Sequence, residues 1–251
     1  MALADSAGQP WEGRHFEPNT NADDDGSADP RLIEALRRFR SRELGEVEVI
    51  DAARGARFLI PLLAHLGEEG ENEHGLVVDK TQELAIVTVT SPDGRTVLPA
   101  FTSVETMSAW NPQARPIPVD AVRIALAAAS EHTDLVVIDA TSDTEFVVRR
   151  PAIRALAQDD PWVPSYRDPD VLDAFARATE GESVVTGVSL ASGDPDARLR
   201  GPELVVQLVL TPGLTREQLD AVLSRLQERW SASEVIADRV DSLRIQLVAS
   251  E

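Results

Sequence analysis

Several residue types are missing or scarce in this 251-residue chain, and cysteine is absent altogether. Without cysteine, the protein has no disulfide, thiolate nucleophile, CxxC redox pair or cysteine zinc site. Aromatic residues make up only 4% of the chain, so we expect an aliphatic core. Lysine is nearly absent too: of the 24 basic residues, Lys80 is the one lysine and the remaining 23 are arginine.

Long apolar runs are also missing from the chain. No uninterrupted apolar stretch approaches the roughly 20 residues that a membrane-spanning helix requires. The opening sequence MALADSAGQPWEGRHFEPN has neither the basic start nor the apolar centre of a secretory signal. We therefore expect a soluble, cytoplasmic protein that has no membrane partner.

Positive charge is scarce, since the formal net charge is −19. Binding to nucleic acid requires arginine and lysine at high local density against the phosphates, so we expect no nucleic-acid partner. One basic cluster, RRFRSR at Arg37–Arg42, lies on a predicted helix whose other face carries Leu32, Leu36 and Phe39. We interpret this cluster as a solvated polar face.

The order of the predicted elements indicates an α+β protein with two small domains, each a mainly antiparallel or mixed sheet packed with helices. Residues 1–28 are polar and acidic, and we predict that they form a disordered tail. The predicted domains are residues 29–158 and residues 169–251. The proline-rich and aromatic stretch DDPWVPSYRD at 159–168 predicts a linker between them.

Local patterns predict several individual elements. Pro61 within RFLIPLLAHL predicts an edge strand or a strand end, because proline cannot donate to a ladder. Asp93-Gly94 predicts a hairpin between ELAIVTVT and TVLPAF. The run PVDAVRIALAAAS predicts a helix over residues 118–130, and Thr215-x-x-Gln218 predicts a capping box at the start of a later helix.

The stretch VLPAFTSVETMSAW passes from a predicted strand into a predicted helix without a loop. The Asp93-Gly94 turn folds the preceding strand back, which should bring Lys80 near the start of this helix. An ammonium beside free helical N–H groups suits a carboxylate or a phosphate. In the alternative interpretation, Thr102 or Ser103 caps the helix, Glu105 is the reciprocal partner of Thr102, and Lys80 pairs with a nearby acid.

The candidate ligand-binding or partner-binding residues at this corner are Asp79, Lys80, Phe101, Thr102, Ser103 and Trp110. Together with the turn Pro92-Asp93-Gly94 and the helix start Arg150-Pro151, they resemble the SseB family of bacteria in its actinobacterial form. The resemblance covers residues from about 30 to 165 for the N-terminal SseB domain. The remainder is similar to the C-terminal SseB-type domain. The family is named after an effect on serine sensitivity, and the resemblance implies no established catalytic activity.

No catalytic motif accompanies this resemblance. The sequence contains no P-loop, GxGxxG or GxSxG motif, and the acidic loop between His65 and His74 lacks EF-hand spacing. We therefore predict no enzymatic activity, no cofactor and no metal. The expected function is a regulatory or accessory one through a protein partner. The alternative is a sensor of a small anionic metabolite, such as an amino acid, at the Lys80/Thr102 corner.

Overall fold

The computed structural model describes residues 24–65, 70–71, 77–78, 83–91 and 93–250. These residues form an α+β fold with α-helices, one short 3-10 helix at Ser165–Arg167, and antiparallel or mixed sheets. In chain order the helices are α1 (Pro30–Arg40), α2 (Glu46–Arg54), α3 (Val104–Trp110), α4 (Ala121–Ser130), α5 (Arg150–Gln158), α6 (Pro169–Ala178), α7 (Arg216–Ser231) and α8 (Glu234–Arg239). Within the described ranges, no helix is both long enough and apolar enough to span a bilayer.

The strands share the same chain-order numbering. They are β1 (Arg57–His65), β2 (Gly70–Glu71), β3 (Val77–Val78), β4 (Glu83–Ile86), β5 (Val89–Thr90), β6 (Thr96–Ala100), β7 (Arg115–Asp120), β8 (Leu135–Ile138), β9 (Phe146–Arg149), β10 (Val185–Ser192), β11 (Leu204–Leu210) and β12 (Leu243–Ala249). The expected α+β fold class is confirmed.

The sheets of the first half of the chain are joined through β1. This strand pairs antiparallel with β4 and β7, while a second sheet has the order β5-β6-β8-β9. Leu59 and Phe101 exchange two backbone hydrogen bonds of 2.8 and 2.9 Å, which link the two sheets. The first apolar core lies between these strands and helices α1, α2, α4 and α5.

The prediction that Pro61 marks an edge strand or a strand end is wrong, because Pro61 lies inside β1, which is paired on both sides. The N and O atoms of Leu59 point toward Phe101, so those of Pro61, two residues later, point to the same side. On this side, β1 pairs with Phe101 at Leu59 and with β4 from Leu62 onward. Pro61, which has no N–H to donate, lies between these two pairings. Pro116 and Pro118 on β7 lie opposite Pro61 and Leu59, so their missing donors fall on the outer edge of β7, which pairs with no strand in the described ranges.

The helix predicted over residues 118–130 begins later than expected. Val119 pairs with Phe58 in the sheet, so the segment through Asp120 is strand. The Asp120 carboxylate then accepts a hydrogen bond of 2.8 Å from the backbone N–H of Arg123 and caps α4. Pairing with a strand distant in sequence therefore overrides the local helical pattern.

Two other predicted local features are confirmed. Gly94 has a φ of 85°, and the turn around it connects the antiparallel strands β5 and β6. Thr215 caps α7 by accepting from the N–H of Gln218 at 3.2 Å, and the Gln218 side chain accepts in return from Thr215 at 2.9 Å.

A second apolar core lies in the later half of the chain. There β11 runs antiparallel to β10 and parallel to β12, and α6, α7 and α8 pack on one face of this sheet. The rings of Phe175 and Trp230 meet edge to face in this core, with centroids 5.2 Å apart.

The loop between β10 and β11 joins the two cores. Its residues Ala197 and Leu199 are buried in apolar clusters of the first half, and Val147 donates its N–H to the Ala197 carbonyl at 2.8 Å. The base of the loop is tight, because a Cβ at Gly193 would lie 2.2 Å from the carbonyl oxygen of Pro202. Glycine is therefore required where this loop leaves β10.

Candidate functional site

The strand-to-helix corner at Phe101–Ser103 is buried and bonded internally. Ser103 caps α3, since its hydroxyl accepts from the N–H of Thr106 at 3.1 Å. The Thr106 hydroxyl accepts from the N–H of Ser103 at 3.3 Å and completes the capping box. The expected pairing of Thr102 with Glu105 is wrong, because the Thr102 side chain is turned into the interior.

Thr102 contacts a fully buried carboxylate, Asp139, which directly follows β8. Asp139 accepts from the N–H and the hydroxyl of Thr102, each at 2.8 Å. It also accepts from the Thr106 hydroxyl at 2.9 Å and the Thr144 hydroxyl at 2.8 Å. These donors compensate the cost of burying a charge and tie α3 to the turn between β8 and β9.

Residues 24–27 cover the first turn of α3. The Gly26 carbonyl accepts from the N–H of Val104 at 2.9 Å. Arg57 donates to the Thr102 carbonyl at 3.0 Å and pairs with Asp24 at 2.9 Å. This part of the predicted tail 1–28 is thus bonded to the corner, and residues 1–23 lie outside the described residues. The N–H of Val104, which an anion at the start of this helix would use, already has an acceptor.

The structure brings together four of the six candidate site residues. The ring of Phe101, which precedes α3, packs against the ring of Trp110, the last residue of α3, with centroids 5.2 Å apart. Thr102 and Ser103 act through hydrogen bonds. Asp79 and Lys80 lie outside the described residues, so a meeting of Lys80 with Thr102 remains a prediction. In the described ranges, no group of three or more His, Asp or Glu side chains is placed to hold a metal.

A second polar cluster, which the sequence patterns did not indicate, lies where the two apolar cores meet. Arg149 ends β9, and its side chain is only 8% exposed. It donates to Asp194 at 2.8 Å, to Asp241 at 2.9 Å and to the Gly201 carbonyl at 3.0 Å. Arg95 also pairs with Asp241 at 2.9 Å. Both acids belong to the later half of the chain, so the guanidinium joins the two halves.

Two further carboxyl groups lie beside Arg149. Burial, together with the charges of Glu203 and Asp194, raises the pKa of Glu46 to about 7, although Arg149 acts in the opposite direction. Burial also raises the pKa of Glu203, whose carboxylate accepts from the N–H of Asp241 at 2.6 Å. Burial and the charge of Glu46 raise the pKa of Tyr166 to about 12.

The basic cluster Arg37–Arg42 is not purely a solvated face. Arg42 pairs with Asp196 at 2.5 Å, and Arg40 donates to the Asp196 carbonyl. Arg42 also donates to the Pro195 carbonyl. Because Pro195 and Asp196 lie in the loop between β10 and β11, the two arginines hold that loop against α1.

An open cleft of about 950 Å³ lies beside this junction. Its charged lining residues are Asp93, Arg95, Glu145, Arg198, Arg200 and Asp241. Arg95 pairs with Asp93 at 2.8 Å, and Arg198 lies 3.8 Å from Glu145. Opposite charges within the cleft therefore largely compensate one another.

Asp139→Asn tests the buried carboxylate at the corner. The variant is expected to lose about 2–4 kcal/mol of unfolding free energy, because an amide places N–H groups against the threonine donors. Urea denaturation measures this loss. Asp143→Asn, an exposed neighbour, is the matched control and should change stability by less than about 0.5 kcal/mol. If both substitutions lower the free energy of unfolding equally, the Asp139 hydrogen bonds do not stabilise the corner.

Stability is expected to fall as the pH rises through neutrality, because the pKa of Glu46 is about 7 in the folded protein and 4.5 as its ordinary value. Folding then favours the protonated carboxyl, so its contribution is complete below pH 4.5 and is lost as the pH passes 7. Glu46→Gln stays neutral and should remove on the order of 2 kcal/mol of the decline between about pH 5 and pH 8.

Urea denaturation at both pH values measures this decline. Glu34→Gln, at an exposed position on α1, is the matched control and should follow the native protein. A decline that is as steep in Glu46→Gln as in the native protein would contradict the assignment.

Comparison with known families finds a match in the N-terminal part of the chain. Residues 32–155 match the family model of the SseB protein N-terminal domain. Searches of the curated proteins and of the solved structures find no match to this chain. The matched range contains the strand-to-helix corner, Asp139 and Arg149, whereas Asp194 and Asp241 lie beyond it. The C-terminal SseB-type domain and the actinobacterial form remain predictions. The chain therefore contains an SseB-family N-terminal domain over residues 32–155.

Proposed function

We propose that this protein is a non-enzymatic regulatory or accessory factor that binds a protein partner through α4 and the adjoining strand β7. The observation that carries the proposal is an exposed apolar surface. Leu126 is 61% exposed, Val122 is 42% exposed, and Ile117 on β7 is 38% exposed. Contiguous exposed apolar residues are typical of interaction sites in soluble domains.

Helix α4 is apolar on both faces. Ala121, Ile124 and Ala125 pack into the first core, as expected for the inner face of a surface helix. Val122 and Leu126, four residues apart, share the outer face, where a solvated helix would carry charged residues. An apolar outer face on a short helix is explained if a partner covers it.

The edge of the sheet suggests how such a partner binds. Pro116 and Pro118 leave gaps in the donors on the outer edge of β7, so an added strand would find an incomplete ladder. Binding through the side chains of α4 is therefore favoured. Arg115 and Arg123 are exposed beside this surface, in a chain whose net charge is −19. A protein segment that combines apolar side chains with carboxylates fits this arrangement.

Three carboxylates whose side chains are buried in the described part of the chain support a non-enzymatic function. Asp139 accepts from three threonines, and Asp194 and Asp241 accept from Arg149. Each of these groups is engaged with other residues of the same chain, as is typical of structural carboxylates.

Leu126→Asp is expected to abolish partner capture, because it places a carboxylate on the apolar surface and beside an acidic partner. The reduction should be about tenfold or more. Affinity capture from a lysate of the source organism, followed by quantitative mass spectrometry, measures it. Leu172→Asp on α6 is the matched control, since Leu172 is a 41% exposed leucine on another surface.

A protein retained by the native chain and by Leu172→Asp, but lost with Leu126→Asp, would support the proposal. If the native chain enriches no protein, or if all three forms capture the same proteins equally, the proposal fails.

A further inference from the structure

We propose that residues 11–18, WEGRHFEP, bind the α4 surface of the same chain and compete there with the protein partner. The α4 surface is formed by Ile117, Val122 and Leu126. Because it takes this surface as an interaction site, the proposal rests on the proposed function. The segment precedes the described residues. Its composition, the charges around α4 and the position of Asp24 support the proposal.

The segment has the chemistry that the α4 surface favours. Its two aromatic residues, Trp11 and Phe16, are each followed directly by a glutamate, Glu12 and Glu17. Aromatic side chains supply large apolar contact area at interfaces. Residues 1–23 contain four acidic residues and one arginine, so the segment combines apolar side chains with negative charge.

The α4 surface carries positive charge that suits such a segment. Arg115 on β7 and Arg123 on α4 are exposed, and neither pairs with a carboxylate in the described ranges. Arg123 and Leu126 are three residues apart on the helix and are therefore neighbours on its surface. An aromatic ring packed on Leu126 would place the adjacent glutamate within reach of Arg123.

The described chain begins close to the start of α4. Asp24 pairs with Arg57 at 2.9 Å, and Arg57 lies opposite Asp120, the residue that caps α4. An open groove of about 270 Å³ has Arg57, Asp120 and Arg123 among its lining residues. It therefore connects the residue that holds Asp24 with the first turn of α4.

The segment is close enough along the chain to reach the α4 surface. Pro18 precedes Asp24 by six residues, which span at most about 20 Å when extended. Helix α4 has 10 residues and is about 15 Å long, so both aromatic residues can lie along it. A connection this short gives an effective concentration on the order of 1 mM, so weak binding is sufficient to fill the surface.

Paramagnetic relaxation enhancement in the full chain tests this binding without a partner. Because the chain has no cysteine, Gln9→Cys provides a single site for a nitroxide label, two residues before Trp11. The amide resonances of Val122 and Leu126 should lose most of their intensity. The resonance of Leu172, which is exposed on α6, should keep its intensity.

Substitution of the aromatic residues separates binding from mere proximity. Trp11→Ser combined with Phe16→Ser leaves the length of chain before Asp24 unchanged, so the label keeps the same reach. The double substitution should weaken binding by about tenfold or more and restore the resonances of α4. Leu126→Asp should restore the Val122 resonance too, whereas Leu172→Asp, the matched control, should leave it weak.

The proposal is overturned if the label causes no loss of intensity at α4, or if the double substitution leaves the loss unchanged. A mixture of nitroxide-labelled chains with isotope-labelled chains that carry no nitroxide shows whether a second copy supplies the segment. An equal loss of intensity in this mixture would also overturn the proposal.

Partner capture tests the competition separately. Trp11→Ser combined with Phe16→Ser should capture about threefold more partner than the native chain, because the segment no longer occupies the surface. Unchanged capture by this variant would contradict the competition. Since the NMR measurements need no partner, a failure of the proposed function and a failure of the segment to bind α4 are distinguishable.

Discussion

The arrangement of the two halves of this protein depends on the pairing of one buried arginine, Arg149. A guanidinium remains charged at any physiological pH, so its burial requires acceptors on every side. Asp194, Asp241 and the Gly201 carbonyl provide them, and all three come from the later half of the chain. A buried ion pair adds little net stability, but removing one partner costs about 3–5 kcal/mol, so the pairing selects one relative arrangement of the halves.

Other contacts at the junction follow from this arrangement. The loop between β10 and β11 places Ala197 and Leu199 in the apolar clusters of the first half. Arg40 and Arg42 bind Asp196 of the same loop. Arg150, the next residue along the chain from Arg149, bonds to carbonyls of α8 and of the segment that follows it. These hydrogen bonds therefore exist only while the two halves are packed together.

Features set by a few neighbouring residues could be predicted from the sequence. The Asp93-Gly94 turn and the Thr215 capping box depend on local backbone geometry, and the α+β class follows from the order of apolar patterns. The expected capping box of Thr102 with Glu105 is also a local feature, yet it was wrong, because Ser103 caps α3 with Thr106 as its partner. Thr102 is not the cap because its hydroxyl donates to Asp139, a contact across the fold.

The rest could not be predicted, because it depends on residues far apart in the chain. Pro61 looked like an edge residue until the neighbours on both sides of β1 were known. Asp139 follows one apolar strand and Arg149 ends another. Nothing nearby in the sequence shows that the partners of Asp139 are threonines, or that those of Arg149 are acids of the later half. The exposed apolar face of α4 could not be predicted either, because the sequence of an alanine-rich apolar helix is typical of a helix buried on every side.

The central claim is that the Arg149 pairing couples the two cores into one structure, and scanning calorimetry of the whole protein tests it most directly. We expect the native protein to unfold in a single transition with equal calorimetric and van't Hoff enthalpies. Arg149→Met should resolve this into two transitions, one for each core. Two separate transitions in the native protein, or an unchanged single transition in Arg149→Met, would contradict the claim.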